Sequence, residues 1–208
     1  MKFKYGNSWE KYSVDELPWR DTVTGSMMQS VDIRTGWPRF MDRADMIYCD
    51  PPWNQANVNA FITKSGKNNY VNNFEQFYML FFDRLRDINA AVCYLEIGKQ
   101  NKHIFENELR KIYSQTQIWE IRYYRKNPCY LVRGAKDKTE FDFSGMDDEK
   151  IPYATVGLEN TRCVADPCTG RGLTALAAYK HNKIFVGTEL NPRRLAVAID
   201  KCNKLGAQ

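Results

Sequence analysis

Histidine is scarce in this chain: His103 and His181 are its only two. The six cysteines, Cys49, Cys93, Cys129, Cys163, Cys168 and Cys202, contain no C-x-x-C pair. Zinc-type ligand spacing is therefore missing, and no metal is expected. Several cysteines sit in apolar runs such as Ile47-Tyr48-Cys49, which reads as reduced, mostly buried thiols rather than a disulfide framework. No stretch approaches the roughly 18 apolar residues of a membrane span. Lys2 and Lys4 are not followed by the apolar core of a secretory signal. Internal repeats and low-complexity tracts are also lacking, which excludes solenoids and fibrous classes. The expectation is a soluble cytoplasmic protein, one domain over residues 1–208, large enough to bury its own core.

Positive charge is present and concentrated. Lys99 to Lys138 holds ten Lys or Arg against four acids, an excess of six where the whole chain has five. Thr139 to Glu149 then holds five acids and no base. Such a basic stretch is either an ordinary solvated face or a phosphate-facing surface that binds nucleic acid by releasing counterions.

Alternating strand and helix patterns predict a mostly parallel α/β sheet covered on both faces. Met46 to Cys49 reads as a buried strand stopped by Pro51 and Pro52. Phe74 to Asp87 and Ile104 to Tyr113 carry a helical period, and Ala90 to Ile97 is a strand. Ile118–Tyr124 and Cys129–Val132 form an antiparallel strand pair. Arg162–Ala165, Leu173–Lys180, Ile184–Gly187 and Pro192–Lys204 continue as strand, helix, strand, helix. Residues 1–28, the Asn-rich stretch Asn54 to Asn73 and the acidic stretch to Asn160 give no regular element; the middle one reads as a long functional loop.

Asp166-Pro167-Cys168-Thr169-Gly170-Arg171-Gly172 lies between a predicted strand and helix, where glycines admit a ligand close to the backbone. Glu189 ends the next strand, placed to accept hydrogen bonds from ribose hydroxyls. The loop lacks the third glycine of a dinucleotide fingerprint, with Ala175 in its place, and the Gly-Lys-Ser/Thr of a phosphate loop. Its opening carboxylate repels phosphate and suits a cationic amino-acid end. S-adenosylmethionine has that end and no phosphate.

Asp50-Pro51-Pro52-Trp53 ends another strand, where ligands sit in open α/β sheets. An exocyclic amine on a nucleobase is a poor nucleophile because its lone pair is delocalised into the ring. Hydrogen bonds from its two N–H groups to the Asp50 carboxylate and the Pro51 carbonyl draw it toward a tetrahedral nitrogen. The two prolines fix that carbonyl, and Trp53 offers a flat face on which a base stacks. In-line attack on a sulfonium methyl then depends on positioning and electrostatics.

With Ala165 to Gly172 and Phe185-Val186-Gly187-Thr188-Glu189-Leu190-Asn191-Pro192, the Asp-Pro-Pro-Trp motif resembles the S-adenosylmethionine-dependent DNA amino-methyltransferases. The amine motif precedes the cofactor loop, the permuted order of their beta group, and the likeness runs from about Val31 to Leu205. An opening Asp rather than Ser resembles the adenine-N6 type. The resemblance implies a Rossmann-like methyltransferase sheet of circularly permuted motif order, with S-adenosylmethionine as cofactor and DNA as partner. It assigns the amine grip to Asp50 and Pro51, and shaping and stacking of the base to Pro52 and Trp53. It places the cofactor among Cys49, Asp50, Asp166, Pro167, Cys168, Thr169, Gly170 and Gly172, with Glu189, Leu190 and Asn191 at the ribose. Asp32 and Ile33 resemble the strand end that meets the adenine ring. Trp53, Asn54, Lys64 and Lys67, with Tyr124, Arg125 and Lys126, are candidate substrate contacts, aromatic and basic residues together suiting stacking and phosphate binding.

Two departures stand out. Gly145 to Thr161 shows neither the family's Lys-Pro nor its helix before the cofactor loop, which implies modest cofactor affinity. A separate target-recognition region is reduced or absent, so selectivity is short, loose or supplied by a partner or a second copy. RNA adenine methyltransferases also carry Asp-Pro-Pro-Trp, and a non-catalytic nucleic-acid-binding subunit of the same fold is a further alternative. Pro167-Cys168 and Glu159-Asn160 stand in the wrong order for a 5-cytosine methyltransferase.

Overall fold

The computed structural model describes residues 11–12, 17–66 and 73–206. Among them, eight strands form one sheet in the order β1-β2-β8-β7-β3-β4-β6-β5. The strands are β1 (Trp19–Arg20), β2 (Met27–Ser30), β3 (Met46–Cys49), β4 (Val92–Ile97), β5 (Gln115–Tyr123), β6 (Asn127–Ala135), β7 (Cys163–Asp166) and β8 (Ile184–Glu189). The helices are α1 (Gln55–Ser65), α2 (Phe74–Ile88), α3 (Lys102–Ile112), α4 (Ile151–Leu158), α5 (Leu173–Lys180) and α6 (Pro192–Gly206). β2, β8, β7, β3 and β4 run parallel, while β1 and the β5–β6 pair are antiparallel edges. This is the mostly parallel α/β sheet with an antiparallel pair that the sequence pattern predicts.

Strand alternation explains the two cores. Ile47 and Cys49 point to one face with Phe81, Phe82, Leu85, Phe105 and Leu109 of α2 and α3. Met46 and Tyr48 point to the other, with Val156, Ala175, Ala178, Leu195 and Ile199 of α4, α5 and α6. Five cysteines are buried in these layers and Cys168 is half-buried, all as free thiols.

Three expectations are corrected. Asn54 to Ser65 is not loop: the Asn54 side chain accepts the Asn57 N–H at 3.0 Å and caps α1, whose Val58 and Ile62 are buried. The polar composition masked an apolar pair at helical spacing. The acidic stretch contains α4, started by Pro152 in its first turn and too uniformly apolar to show an amphipathic period. The pre-loop helix absent from the sequence pattern is therefore present. Within the first 28 residues, β1 and the start of β2 are ordered as strands because they complete the edge beside β8. No helix among the described residues is long and apolar enough to cross a membrane.

Phe105 is fully buried and packs on Phe81 and Phe82. Phe105→Ala should cost about 3–5 kcal/mol of stability, read from urea unfolding; a loss below about 1 kcal/mol would contradict this packing.

Candidate active site

The site begins at the centre of the sheet. Met46 pairs with Val164 and Ile47 with Ala165, so β3 and β7 end side by side. From there β3 leads through helices to β4 on one side, and β7 leads through α5 to β8 on the other. Strand order diverges at this point, which opens a crevice beyond the strand ends. A cavity of about 400 Å³ fills it.

The cavity brings together both sequence motifs. Asp50 and Pro52 line it from the end of β3, and Asp166, Pro167, Cys168, Thr169 and Gly170 from the end of β7. Glu189 and Leu190 line it from β8, Asp32 and Ile33 from the segment after β2, and Tyr124 from the β5–β6 turn. Cys49 is buried beneath it, and Pro51, Trp53, Asn54, Gly172, Asn191, Lys64, Arg125 and Lys126 lie outside its wall. Lys67 falls outside the described residues.

Each carboxylate has a defined partner. Asp166 accepts the Thr174 hydroxyl at 2.6 Å and the Cys168 N–H at 2.9 Å. Glu189 accepts the N–H of Gly170 at 2.7 Å and that of Asn191 at 2.9 Å, fixing the loop against the next strand. Asp32 is held by the Arg34 guanidinium at 2.7 and 2.9 Å. Gly172 closes the loop with φ +82°, and a Cβ there would stand 2.6 Å from that of Ala198.

Asp50 keeps access to the cavity's water, and its carboxylate accepts the Trp53 indole N–H at 2.8 Å. Trp53 is itself clamped: Asn101 donates to its carbonyl at 2.7 Å, and its ring packs edge-on to Tyr123 with centroids 4.9 Å apart. A Cβ at Gly98 would meet that ring at 2.6 Å, so only glycine lets the indole lie flat there. Trp53 thus braces Asp50 at the edge of the cavity.

Several lining residues escape sequence reasoning. Phe61 and Ile62 come from α1, and Arg194 from α6 lies 5.2 Å over the Phe61 ring. Asn191 donates to the Lys64 carbonyl at 2.9 Å, tying the end of α1 to the strand that carries Glu189. Pro152 of α4, Glu96 and Asp148 also line the cavity, beside Tyr123 of the aromatic and basic segment that the sequence singles out for substrate contact. Their only sequence signals were the Asn54 cap, the proline opening α4 and an acid inside the apolar run Val92 to Ile97.

At the rim, Tyr124 and Arg125 both adopt positive φ, 47° and 62°. Asp148 accepts the Tyr124 N–H at 3.2 Å and Asp147 the Arg125 N–H at 3.0 Å, holding the turn in this conformation. The acidic stretch is thus docked on the basic hairpin, with Arg125 also paired to Asp147 at 3.2 Å. Part of the positive charge read as a phosphate-facing surface is neutralised within the fold.

Burial dominates the electrostatics. It pushes the Asp166 carboxyl up to about 7, against the Thr174 and Cys168 hydrogen bonds that favour the anion. Asp50 reaches water only through the cavity, and the protein packed around it pushes its carboxyl up to about 6, against the Trp53 bond and the Arg194 guanidinium. An acid whose pKa rises on folding holds its proton more tightly in the native state. Ligand-free stability therefore falls as pH rises from 3.8 toward about 7. Asp166→Asn should flatten this fall between pH 5 and pH 8, measured as urea midpoints; parallel curves for variant and wild type would contradict it.

No family model matches the chain, and no curated protein matches it. Solved structures do. The Thermus thermophilus protein TTHA0409, assigned as a DNA modification methylase and solved with S-adenosyl-L-methionine, is similar at TM-score 0.59 and 15% identity over 86% of this chain and 95% of that one. The M1.HpyAVI complex with SAM gives 0.59 and 14% over 85% and 98%. PvuII DNA methyltransferase, which is cytosine-N4-specific, gives 0.53 and 10% over 86% and 90%. The chain has the Rossmann-like fold of these methyltransferases.

Proposed function

We propose that this chain transfers a methyl group from S-adenosylmethionine to the exocyclic N6 amine of adenine in DNA, acting on a base turned out of its strand. One observation carries the reading: a single cavity joins the Asp50 strand end to the glycine loop and Glu189. The similar solved structures are DNA methyltransferases, two of them with S-adenosylmethionine bound, which supports the cofactor and the acceptor class. The adenine assignment rests on Asp50 opening the amine motif. The order of the two motifs along the chain is that of the permuted beta group. Residues 1–208 read as one methyltransferase domain in which a separate target-recognition region is reduced or absent.

The donor set suits a zwitterion with an added positive charge. Asp50, Asp166 and Asp148 gather in one wall, where a sulfonium and an ammonium stabilise their ionised forms. Arg194 supplies the opposite sign for a carboxylate. Glu189, held by two backbone N–H groups, keeps lone pairs for ribose hydroxyls. When bound, S-adenosylmethionine supplies an electrophilic methyl group on sulfur.

The chain's own residues then grip and orient the acceptor. Asp50 and the Pro51 carbonyl accept the two N–H groups of the amine, and the Asp50 carboxylate takes the proton the nitrogen releases on methylation. Trp53 acts as a positioning residue through its 2.8 Å bond to Asp50. Tyr123 and Tyr124 line the cavity and offer faces for stacking the base. Arg125, Lys126, Asn54, Lys64 and Lys67 are the candidate contacts to the DNA strand.

Asp50→Ala should abolish labelling of DNA by radioactive cofactor, a loss of at least ~100-fold, with cofactor binding by calorimetry weakened by no more than about tenfold, since Asp166 and Asp148 remain in the wall. Equal loss of both would remove the catalytic assignment, and label only in RNA would replace the acceptor. Trp53→Phe deletes one hydrogen bond to a charged group and should lower kcat by about 10- to 100-fold; unchanged kcat would reduce Trp53 to packing.

A further inference from the structure

One buried group in the cavity has no role in the reaction as described. Glu96 is 4% exposed and lines the cavity from the end of β4. The parallel register that pairs Cys49 with Leu95 brings Glu96 to the level of Asp50 on the adjoining strand. One of its carboxyl oxygens, Oε1, accepts the Tyr48 hydroxyl. The other, Oε2, has no hydrogen bond to the described residues.

An adenine held by its amine at Asp50 and Pro51 brings its ring nitrogen N1, an acceptor beside that amine, into the same wall. A buried acceptor left without a donor costs about 10- to 100-fold in binding. Donors on that side of the cavity are few. The Tyr48 hydroxyl is spent on Glu96, and the Tyr123 side chain bonds to Tyr124. The Tyr124 hydroxyl that lines the cavity is the partner of Tyr123, and Asp50, Asp148 and Glu149 beside them are acids.

We propose that Glu96 contacts the substrate: its free carboxyl oxygen, Oε2, donates a hydrogen bond to N1 of the target adenine while Asp50 holds the N6 amine. This deepens the adenine-methyltransferase reading and rests on it. Burial and the adjacent Asp50 carboxylate both hold the Glu96 carboxyl well above the ordinary glutamate range, which keeps the proton that the bond requires. The pocket then reads the amine and its neighbouring ring nitrogen as a pair, through two carboxyl groups in opposite protonation states.

The test is single-turnover methylation of a duplex carrying a site mapped in methylated genomic DNA, with adenine or 1-deazaadenine at the target. Wild type, Glu96→Gln and Glu96→Ala are compared, and S-adenosylhomocysteine binding by calorimetry serves as the folding control. Wild type should lose about 10- to 100-fold on 1-deazaadenine. Glu96→Ala should be slowed similarly on adenine and lose little more on the analogue. Glu96→Gln, which keeps an N–H donor, should stay within about fivefold of wild type on adenine. An equal deaza penalty in wild type and Glu96→Ala, or a Gln variant as slow as the Ala variant, would overturn the assignment. If Glu96→Ala fails to bind S-adenosylhomocysteine, the wild-type penalty and the Gln variant decide, and absence of either predicted result overturns it. A wild type that methylates no adenine in DNA would instead overturn the underlying reading.

Discussion

Because Met46 pairs with Val164 and Ile47 with Ala165, the chain leaves β3 and β7 at the same height of the sheet. Asp50 follows one strand and Asp166 ends the other, so two carboxyl groups far apart in sequence open into one cavity. The rest of the site is arranged around that register. Glu189 arrives because β8 lies beside β7, with Ala165 opposite Val186 and Asp166 opposite Gly187. Asp32 arrives because β2 lies beside β8, and the Val31 N–H donates to the Glu189 carbonyl at 3.0 Å. A slip of one residue at β3 would turn Ile47 and Cys49 toward the wrong core.

Gathering acids in a buried wall is costly, and the fold offsets that cost locally. Thr174 and the Cys168 amide serve Asp166, the indole of Trp53 serves Asp50, and two backbone amides serve Glu189. These bonds do not outweigh desolvation at Asp50 or Asp166, where burial raises both carboxyls. The cavity is therefore most strained, without ligand, in the pH range where its acids ionise. A cationic ligand relieves that strain, and this couples cofactor binding to the electrostatics of the amine grip.

Much of this was legible in the sequence, for physical reasons that can be named. Asp50-Pro51-Pro52 and the loop Asp166 to Gly172 announce themselves because prolines and glycines constrain the backbone whatever surrounds them. Parallel strands such as Val92–Ile97 read as apolar runs because both their faces are covered. Less visible were elements whose stability comes from tertiary packing. α1 hides in an Asn-rich stretch and depends on the Asn54 cap and on burying Val58 and Ile62. α4 hides behind acids because it is apolar nearly all round. The packing of Trp53 on Gly98 depends on the end of β4, which no local pattern reports. Glu96 looked like one acid in an apolar strand until the register set it beside Asp50.

The most direct measurement is a crystal structure of the protein with S-adenosylhomocysteine bound. The account predicts the ribose hydroxyls on Glu189, the homocysteine end along Asp166 to Gly170, and the thioether sulfur facing Asp50 across the cavity. A ligand seated elsewhere, or a sulfur turned away from Asp50, would contradict it.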